Sequence, residues 1–161
     1  MSNMHCKGEW FDLVCRSIDE GILEYSGVPL PGFPDREIQL NTTGQAGRDT
    51  LCPAYIYYED CLKVFSNSDA FARKDKKLMD FGVGWGRILR FFMRDFLPDN
   101  LFGADINDEL LSVCKSTFRW GTFIKSNAFP PIDLPDQSID FIVGYSVFSE
   151  IRLIQGRYYE I

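Results

Sequence analysis

The chain has 161 residues, 45% of them hydrophobic, which fits one domain with a packed core. Its formal net charge of −6 argues against bulk nucleic-acid binding, because such binding depends on cations that neutralise phosphates. No apolar run approaches the roughly 20 residues that a membrane span needs. The N-terminus also lacks the apolar core of a signal sequence.

The cysteines and the single histidine argue against a disulfide framework and a metal site. The cysteines are odd in number and include no C-x-x-C pair: Cys6, Cys15, Cys52, Cys61 and Cys114. This pattern is typical of reduced thiols in a cytoplasmic protein. With His5 as the one histidine, we expect no metal, and no Ser-His-Asp triad unless His5 supplies it.

Residues 1–70 are predicted to form a cap of helices and loops. Apolar residues three or four apart predict a helix over residues 10–25, with a face made by Phe11, Val14, Ile18, Ile22 and Tyr25. Residues 26–34 hold glycines and prolines that forbid regular structure, and the polar stretch 41–49 predicts a loop. A second helix should have Pro53 in its first turn.

The second part of the chain, residues 71–161, opens with a strand, a glycine turn and a helical pattern in that order. The apolar run contains Asp80, and the turn holds Gly82, Gly84 and Gly86 at alternate positions. Glycines permit positive φ and let a ligand approach the backbone closely. The start of the helix would present free N–H groups and a positive dipole end, so this segment predicts a cradle for an adenosine cofactor.

Two further strand-type segments follow the cradle. Residues 101–105 end in Asp105, and an acid there can accept hydrogen bonds from both ribose hydroxyls of an adenosine cofactor. A helix is predicted over residues 108–118 and a third strand over residues 122–126, after which comes Asn127.

The stretch after the third strand predicts a loop and then a fourth strand. The loop covers residues 130–138, and the strand with its exit covers 139–148, including Gly144 and Tyr145. Four strands alternating with helices predict an α/β fold with a parallel sheet in the order 3-2-1-4 and helices on both faces. A ligand would bind at the carboxyl ends of strands 1 and 4, where the strand order reverses.

The ordered motifs over residues 76–149 resemble the class I S-adenosylmethionine-dependent methyltransferases. They are an acid followed by G-x-G-x-G, an acid that ends the second strand, and a fourth-strand pattern D-x-I/V-x-x-x-x-V-F. The resemblance implies a Rossmann-like fold, S-adenosyl-L-methionine as cofactor and a small-molecule acceptor. It implies that the cofactor is bound by Asp80, Phe81, Gly82, Gly84, Gly86, Asp105, Ile106, Asn127, Ala128 and Tyr145. It assigns no catalytic residue.

Several residues bear on how the cofactor would be bound and on which other enzyme classes the sequence argues against. Asn127 stands where the family usually has an acid for the adenine amino group, although its carbonyl can still accept that bond. Arg48 is either a ligand of the cofactor carboxylate or a solvated loop residue. No Asn/Asp-Pro-Pro-Tyr follows the fourth strand, which argues against amino-methyltransferases of DNA bases and glutamine. Arg87 replaces the third dinucleotide glycine, which argues against an NAD-dependent oxidoreductase.

The family fold has seven strands, and this chain reaches the fourth. A terminal helix from Ser149 is predicted in place of strands 5–7. The uncovered edge of the fourth strand leaves three alternatives, which are a tail folded over it, a homodimer paired through it, or a truncated product. Truncation is favoured, because the tail departs from the family pattern. The chain is then either a methyltransferase or a non-catalytic remnant or partner module that keeps the cofactor half.

Overall fold

The computed structural model of the chain describes residues 6–127 and 131–147, and the first part of it is mostly helical. Its elements are α1 (Glu9–Glu20), a small antiparallel hairpin of β1 (Glu24–Tyr25) and β2 (Val28–Pro29), α2 (Arg36–Thr43) and α3 (Arg48–Phe65). A short 3-10 turn, Asp69–Ala72, follows α3.

The first helix is shorter than predicted over residues 10–25. It ends before Gly21, which has a φ of 83° that helical backbone cannot contain. Ile22 is 57% exposed and does not belong to the buried face. Tyr25 lies in β1 instead, and its ring packs on Trp10 with centroids 4.8 Å apart.

The irregular structure predicted for residues 26–34 is interrupted by β2. Ser26 and Gly27 have φ values of 52° and 78°, the left-handed conformation that a tight hairpin turn uses. The turn pairs Tyr25 with Val28.

The loop predicted over residues 41–49 is confined to residues 44–47, and the residues on either side of it are helical. Helix α2 runs to Thr43 and ends at Gly44, whose φ of 72° and N–H bond to the Leu40 carbonyl (2.8 Å) make a left-handed cap. Helix α3 already begins at Arg48, so Pro53 lies inside it and not in its first turn.

The remaining elements form one parallel sheet and its connections. They are β3 (Leu78–Phe81), α4 (Leu89–Phe92), β4 (Leu101–Asp105), α5 (Asp108–Thr117), β5 (Thr122–Lys125) and β6 (Phe141–Val143). The sheet order is β5-β4-β3-β6 with every pair parallel, which confirms the predicted order 3-2-1-4. The fourth strand is shorter than the predicted 139–148.

Aromatic side chains join the N-terminal helices to the sheet in one core. The indole N–H of Trp10 donates to the Phe91 carbonyl across 3.1 Å, and the rings of Phe65 and Phe141 lie 4.5 Å apart. In β3, successive side chains point to opposite faces, and Leu78 and Met79 are 0% and 4% exposed. Both faces of the central strand are therefore covered. The division into 1–70 and 71–161 stays a prediction.

Two cysteines form a disulfide, so the expectation of reduced thiols is wrong for this pair. Cys6 and Cys52 are 46 residues apart, and their Cα atoms lie 5.6 Å apart. The packing of α1 against α3 brings them together, and that long-range contact is invisible to the spacing of cysteines along the chain. Cys15 and Cys114 are free and buried, and Cys61 is free and half-buried.

Reduction of the Cys6–Cys52 disulfide is expected to lower the free energy of unfolding by about 4 kcal/mol at most, because it releases a long closed loop in the unfolded chain. Urea unfolding with and without dithiothreitol measures the difference. The double variant Cys6→Ser/Cys52→Ser is the control and should unfold identically in both conditions. A wild-type curve that reductant leaves unchanged would contradict the prediction.

Candidate functional site

The glycine loop, Gly82–Gly86, turns the chain from β3 toward the carboxyl end of β4. Its three glycines have φ values of 77°, 56° and 79°, which side chains with a Cβ rarely adopt. The N–H groups of Gly82 and Val83 both donate to the Ala104 carbonyl, at 2.7 and 3.0 Å. The loop is thus fixed to the neighbouring strand by backbone bonds.

The three glycines meet different surroundings. A Cβ at Gly86 would overlap the Phe118 ring, and a Cβ at Gly82 would overlap the Val147 side chain. A Cβ at Gly84 would have no atom within 4 Å. Gly82 and Gly86 are therefore required by packing, whereas the space over Gly84 is open to a ligand.

Asp105 lies beside the open glycine, at the end of β4. It is 8% exposed, and its Oδ2 accepts the Gly84 N–H at 2.8 Å. Its Oδ1 accepts the Asn107 N–H at 2.9 Å, at the start of α5. Each carboxylate oxygen can accept a second bond, so the group can hold the loop and still receive a ligand hydroxyl.

A cavity of about 380 Å³ lies against the glycine loop. The loop and the start of α4 form one part of its lining, and the end of α2, α3 and the exit of β6 form the rest. The lining is Thr42, Thr43, Gln45, Pro53, Gly82, Val83, Gly84, Trp85, Arg87, Ile88, Tyr145 and Ser146. Its volume lies within the usual range of about 300–1,000 Å³ for small-molecule sites.

Two side chains of the loop region tie it to the N-terminal helices. The buried indole of Trp85 donates to the Thr42 hydroxyl at 3.0 Å. The Arg87 guanidinium donates through Nη1 to the Thr50 carbonyl at 2.9 Å. These bonds set the distance between the glycine loop and α2–α3, and hence the width of the cavity.

Tyr145 lines the cavity from the exit of β6. Its ring packs edge-on against Tyr57, with centroids 5.0 Å apart, and lies 5.2 Å from the Arg87 guanidinium carbon. The Tyr57 hydroxyl accepts the N–H of Gly144 at 3.2 Å. The aromatic pair therefore joins α3 to the end of β6 at the point where the strand order reverses.

Asp80 is buried in the sheet at 1% exposure and does not line the cavity. Burial raises the pKa of its carboxyl to about 7, and the nearby Asp105 also raises it. The Arg87 guanidinium and the Leu89 N–H act in the opposite direction, because both stabilise the ionised form. In this position Asp80 supports the loop from within and does not reach the open space over Gly84.

Three of the other residues assigned by the resemblance lie along the carboxyl edge of the sheet. Phe81 is half-buried at the end of β3, and Ile106 and Asn127 are exposed after β4 and β5. The Lys125 ammonium donates to the Ile106 carbonyl at 2.7 Å. Ala128 lies outside the described residues. The role of all four in cofactor binding stays a prediction.

Arg48 does not line the cavity. Its guanidinium pairs with Asp12 at 2.7 Å and lies over the Phe11 ring at 4.6 Å. The cation at the cavity is Arg87 instead. The contribution of α2 to the cavity was not predicted, because Thr42 stands in a stretch whose polarity predicted a loop, whereas Gln45 does lie in the loop after α2.

Within residues 6–127 and 131–147, no group of three His, Cys, Asp or Glu side chains is placed to hold a metal ion. In the same part of the chain, no helix has the length and apolarity to cross a membrane.

Residues 79–156 match the family model described as a methyltransferase domain. This segment carries the strand, the glycine loop and the acid of β4, and it is similar to the class I S-adenosylmethionine-dependent methyltransferases. No curated protein sequence matches the chain significantly.

Two solved structures resemble the fold. One is magnesium protoporphyrin IX methyltransferase (ChlM) from Synechocystis PCC 6803 with bound SAH, at 10% identity and a TM-score of 0.44, covering 68% of this chain and 52% of that one. The other is the N-terminal domain of human METTL16 in complex with SAH, at 15% identity and a TM-score of 0.43, covering 89% and 55%. The chain spans about half the length of these two proteins.

Alanine substitutions can separate the glycine that faces open space, Gly84, from the glycine that is closely packed, Gly86. Gly84→Ala is expected to lower the free energy of unfolding by about 1–2 kcal/mol, the cost of a Cβ at positive φ. Gly86→Ala should cost about 1–3 kcal/mol more, because its Cβ also overlaps Phe118. Urea unfolding of both variants gives the comparison. An equal loss in the two variants would contradict this account of the loop.

The buried Asp80 should make stability depend on pH. A folded pKa of about 7 exceeds the unfolded value near 3.8, so folding favours the protonated form. The stabilisation is complete below pH 3.8 and is lost as the pH rises to about 7. Asp80→Asn removes this term, so its free energy of unfolding relative to wild type should increase by a few kcal/mol, roughly, between pH 4 and 7.

Urea unfolding at several pH values measures the Asp80 effect. Asp99→Asn, at an exposed aspartate, is the control and should keep the same difference from wild type throughout. If the Asp80→Asn curve ran parallel to wild type, the carboxyl would titrate alike in the folded and unfolded chain.

Proposed function

We propose that this chain binds S-adenosyl-L-methionine at the glycine loop and transfers its methyl group to a small-molecule acceptor. The observation that carries the proposal is the position of Asp105. Its carboxylate is fixed beside Gly84, the one glycine of the loop over which space is open, at the carboxyl end of β4.

The residues present fit an adenosine cofactor. The Asp105 oxygens can accept from ribose hydroxyls while they hold the N–H groups of Gly84 and Asn107. Exposed Ile106 and Asn127 would contact the adenine, with Asn127 offering its side-chain carbonyl as acceptor. Ala128 would continue that contact.

The cavity beside Gly84 would receive the methionine end of the cofactor and the acceptor. A sulfonium methyl group is already activated, so the protein chiefly orients the acceptor for in-line displacement. Tyr145 and Trp85 line the cavity and would exclude water from the reacting atoms. No described residue is assigned as a catalytic base, and none is needed to activate the donor.

The partner class follows from charge and shape. A net charge of −6 and a cavity of about 380 Å³ favour a small molecule over nucleic acid or a membrane surface.

Strand β6 lies at the edge of the described sheet with Ile142 56% exposed, so a homodimer through this edge stays a prediction. A cytoplasmic location also stays a prediction, and the Cys6–Cys52 disulfide weakens its support.

Calorimetric titration with S-adenosylhomocysteine tests the cofactor site. The wild type should bind it at millimolar concentration or below, and Asp105→Asn should bind at least about tenfold more weakly, because a charge-assisted acceptor is lost. Asp99→Asn should bind like wild type. NADH is titrated in parallel, and binding of NADH alone would favour an NAD-dependent oxidoreductase.

Transfer of a labelled methyl group from S-adenosylmethionine to metabolites of a desalted lysate fraction separates catalysis from binding. Label in a small molecule, absent with Asp105→Asn, is the expected result. Binding without transfer would favour the non-catalytic module. Failure to bind either cofactor at millimolar concentration would overturn the proposal.

A further inference from the structure

Arg87 brings a half-buried positive charge to the wall of the cavity. Its Nη1 donates to the Thr50 carbonyl at 2.9 Å, which fixes the guanidinium plane from the side of α3. The Tyr145 ring lies 5.2 Å from its central carbon on another side. Nε and Nη2 make no hydrogen bond within the described part of the chain, and neither is a fully buried atom.

No carboxylate among the described residues forms an ion pair with Arg87. Five exposed cations do have such a partner, namely Arg16, Arg48, Lys63, Arg73 and Lys125. Asp80 is near enough to stabilise the charge of Arg87, but burial raises the pKa of Asp80 to about 7, so this carboxyl is only partly ionised at neutral pH. Arg87 is half-buried, and this burial lowers the pKa of its guanidinium.

We infer that Arg87 is the anion-binding residue of this cavity, and that it takes a carboxylate group of the bound ligand. A guanidinium presents parallel N–H groups that match the two oxygens of a carboxylate, and such a pair is stronger in a partly desolvated site. The group is held before the ligand arrives by Thr50 and Tyr145, so little side-chain entropy is lost on binding.

The rest of the cavity lining agrees with one anionic group. The hydroxyls of Thr42 and Thr43 are already engaged, with Trp85 and with neighbouring backbone carbonyls among their partners. The side-chain amide of Gln45 makes no hydrogen bond within residues 6–127 and 131–147, so it can donate to a ligand. No acidic side chain lines the cavity. The lining thus offers donors and a positive charge, and no negative charge of its own.

The carboxylate would belong either to the amino-acid end of the cofactor or to the acceptor, so the inference rests on the proposed function. Two pairs of probes distinguish these two sources. S-Adenosylhomocysteine carries the carboxylate and 5′-methylthioadenosine lacks the amino-acid end. Benzoate carries a carboxylate, and benzamide is its neutral counterpart.

Calorimetric titration of wild type, Arg87→Gln and Arg87→Lys with these probes is the test. If the cofactor supplies the group, Arg87→Gln should weaken S-adenosylhomocysteine at least about tenfold and leave 5′-methylthioadenosine unchanged. If the acceptor supplies it, both nucleosides should bind unchanged, and the preference of wild type for benzoate over benzamide should disappear in Arg87→Gln. Arg87→Lys keeps the positive charge but lacks the parallel N–H donors of a guanidinium, so its affinity should lie between those of wild type and Arg87→Gln.

Arg119→Gln, at an exposed arginine outside the cavity, is the matched control and should bind every probe like wild type. Thermal unfolding of each variant shows that it is folded. The inference is overturned if folded Arg87→Gln binds all four probes like wild type. The benzoate arm is also run without nucleoside, so Arg87-dependent binding there would uphold the inference even if no nucleoside bound and the proposed function failed.

Discussion

The bond from the Gly84 N–H to the Asp105 carboxylate is the constraint on which the site depends. It joins the glycine loop after β3 to the end of β4, and the second oxygen of the same group holds the Asn107 N–H. A nearly buried carboxylate needs such donors, and charge-assisted bonds of this kind contribute about 1.5–3 kcal/mol each. One side chain therefore holds both the glycine loop and the start of α5.

The cavity depends on a different set of contacts, those between the sheet and the N-terminal helices. Trp85 reaches Thr42, Arg87 reaches the Thr50 carbonyl, and Tyr57 holds the N–H of Gly144. Two of these bonds start from the segment after β3 and one from the segment after β6, the two strands between which the strand order reverses. The sheet alone would provide an open edge, and the helices add a second wall, so that a half-open cavity forms between them.

The sequence predicted those parts that local patterns determine. Strand order and the glycine turn follow from short apolar runs, alternating glycines and an acid at a strand end, all readable within a few residues. Helix α2 was missed because Thr42 and Thr43 satisfy their hydroxyls on helix carbonyls, a local bond that polarity alone does not reveal. The Cys6–Cys52 pair and the position of Arg87 depend on α1 and α3 packing across the chain, which no local pattern encodes.

A buried positive charge, that of Arg90, lies directly against the glycine loop. Arg90 is 1% exposed, and its guanidinium lies 4.0 Å from the Phe33 ring centre while it donates to the carbonyls of Gly86 and Gly32. Among the described residues the Nη1 of Arg90 has no hydrogen-bond partner, and burial lowers the pKa of the guanidinium to about 9. A single unpaired N–H of this kind costs about 1–3 kcal/mol. The same guanidinium ties the last glycine of the loop to residue 32, and these two bonds restrain the loop. A rigid loop in turn keeps Gly84 and Asp105 in place without requiring the ligand to order them.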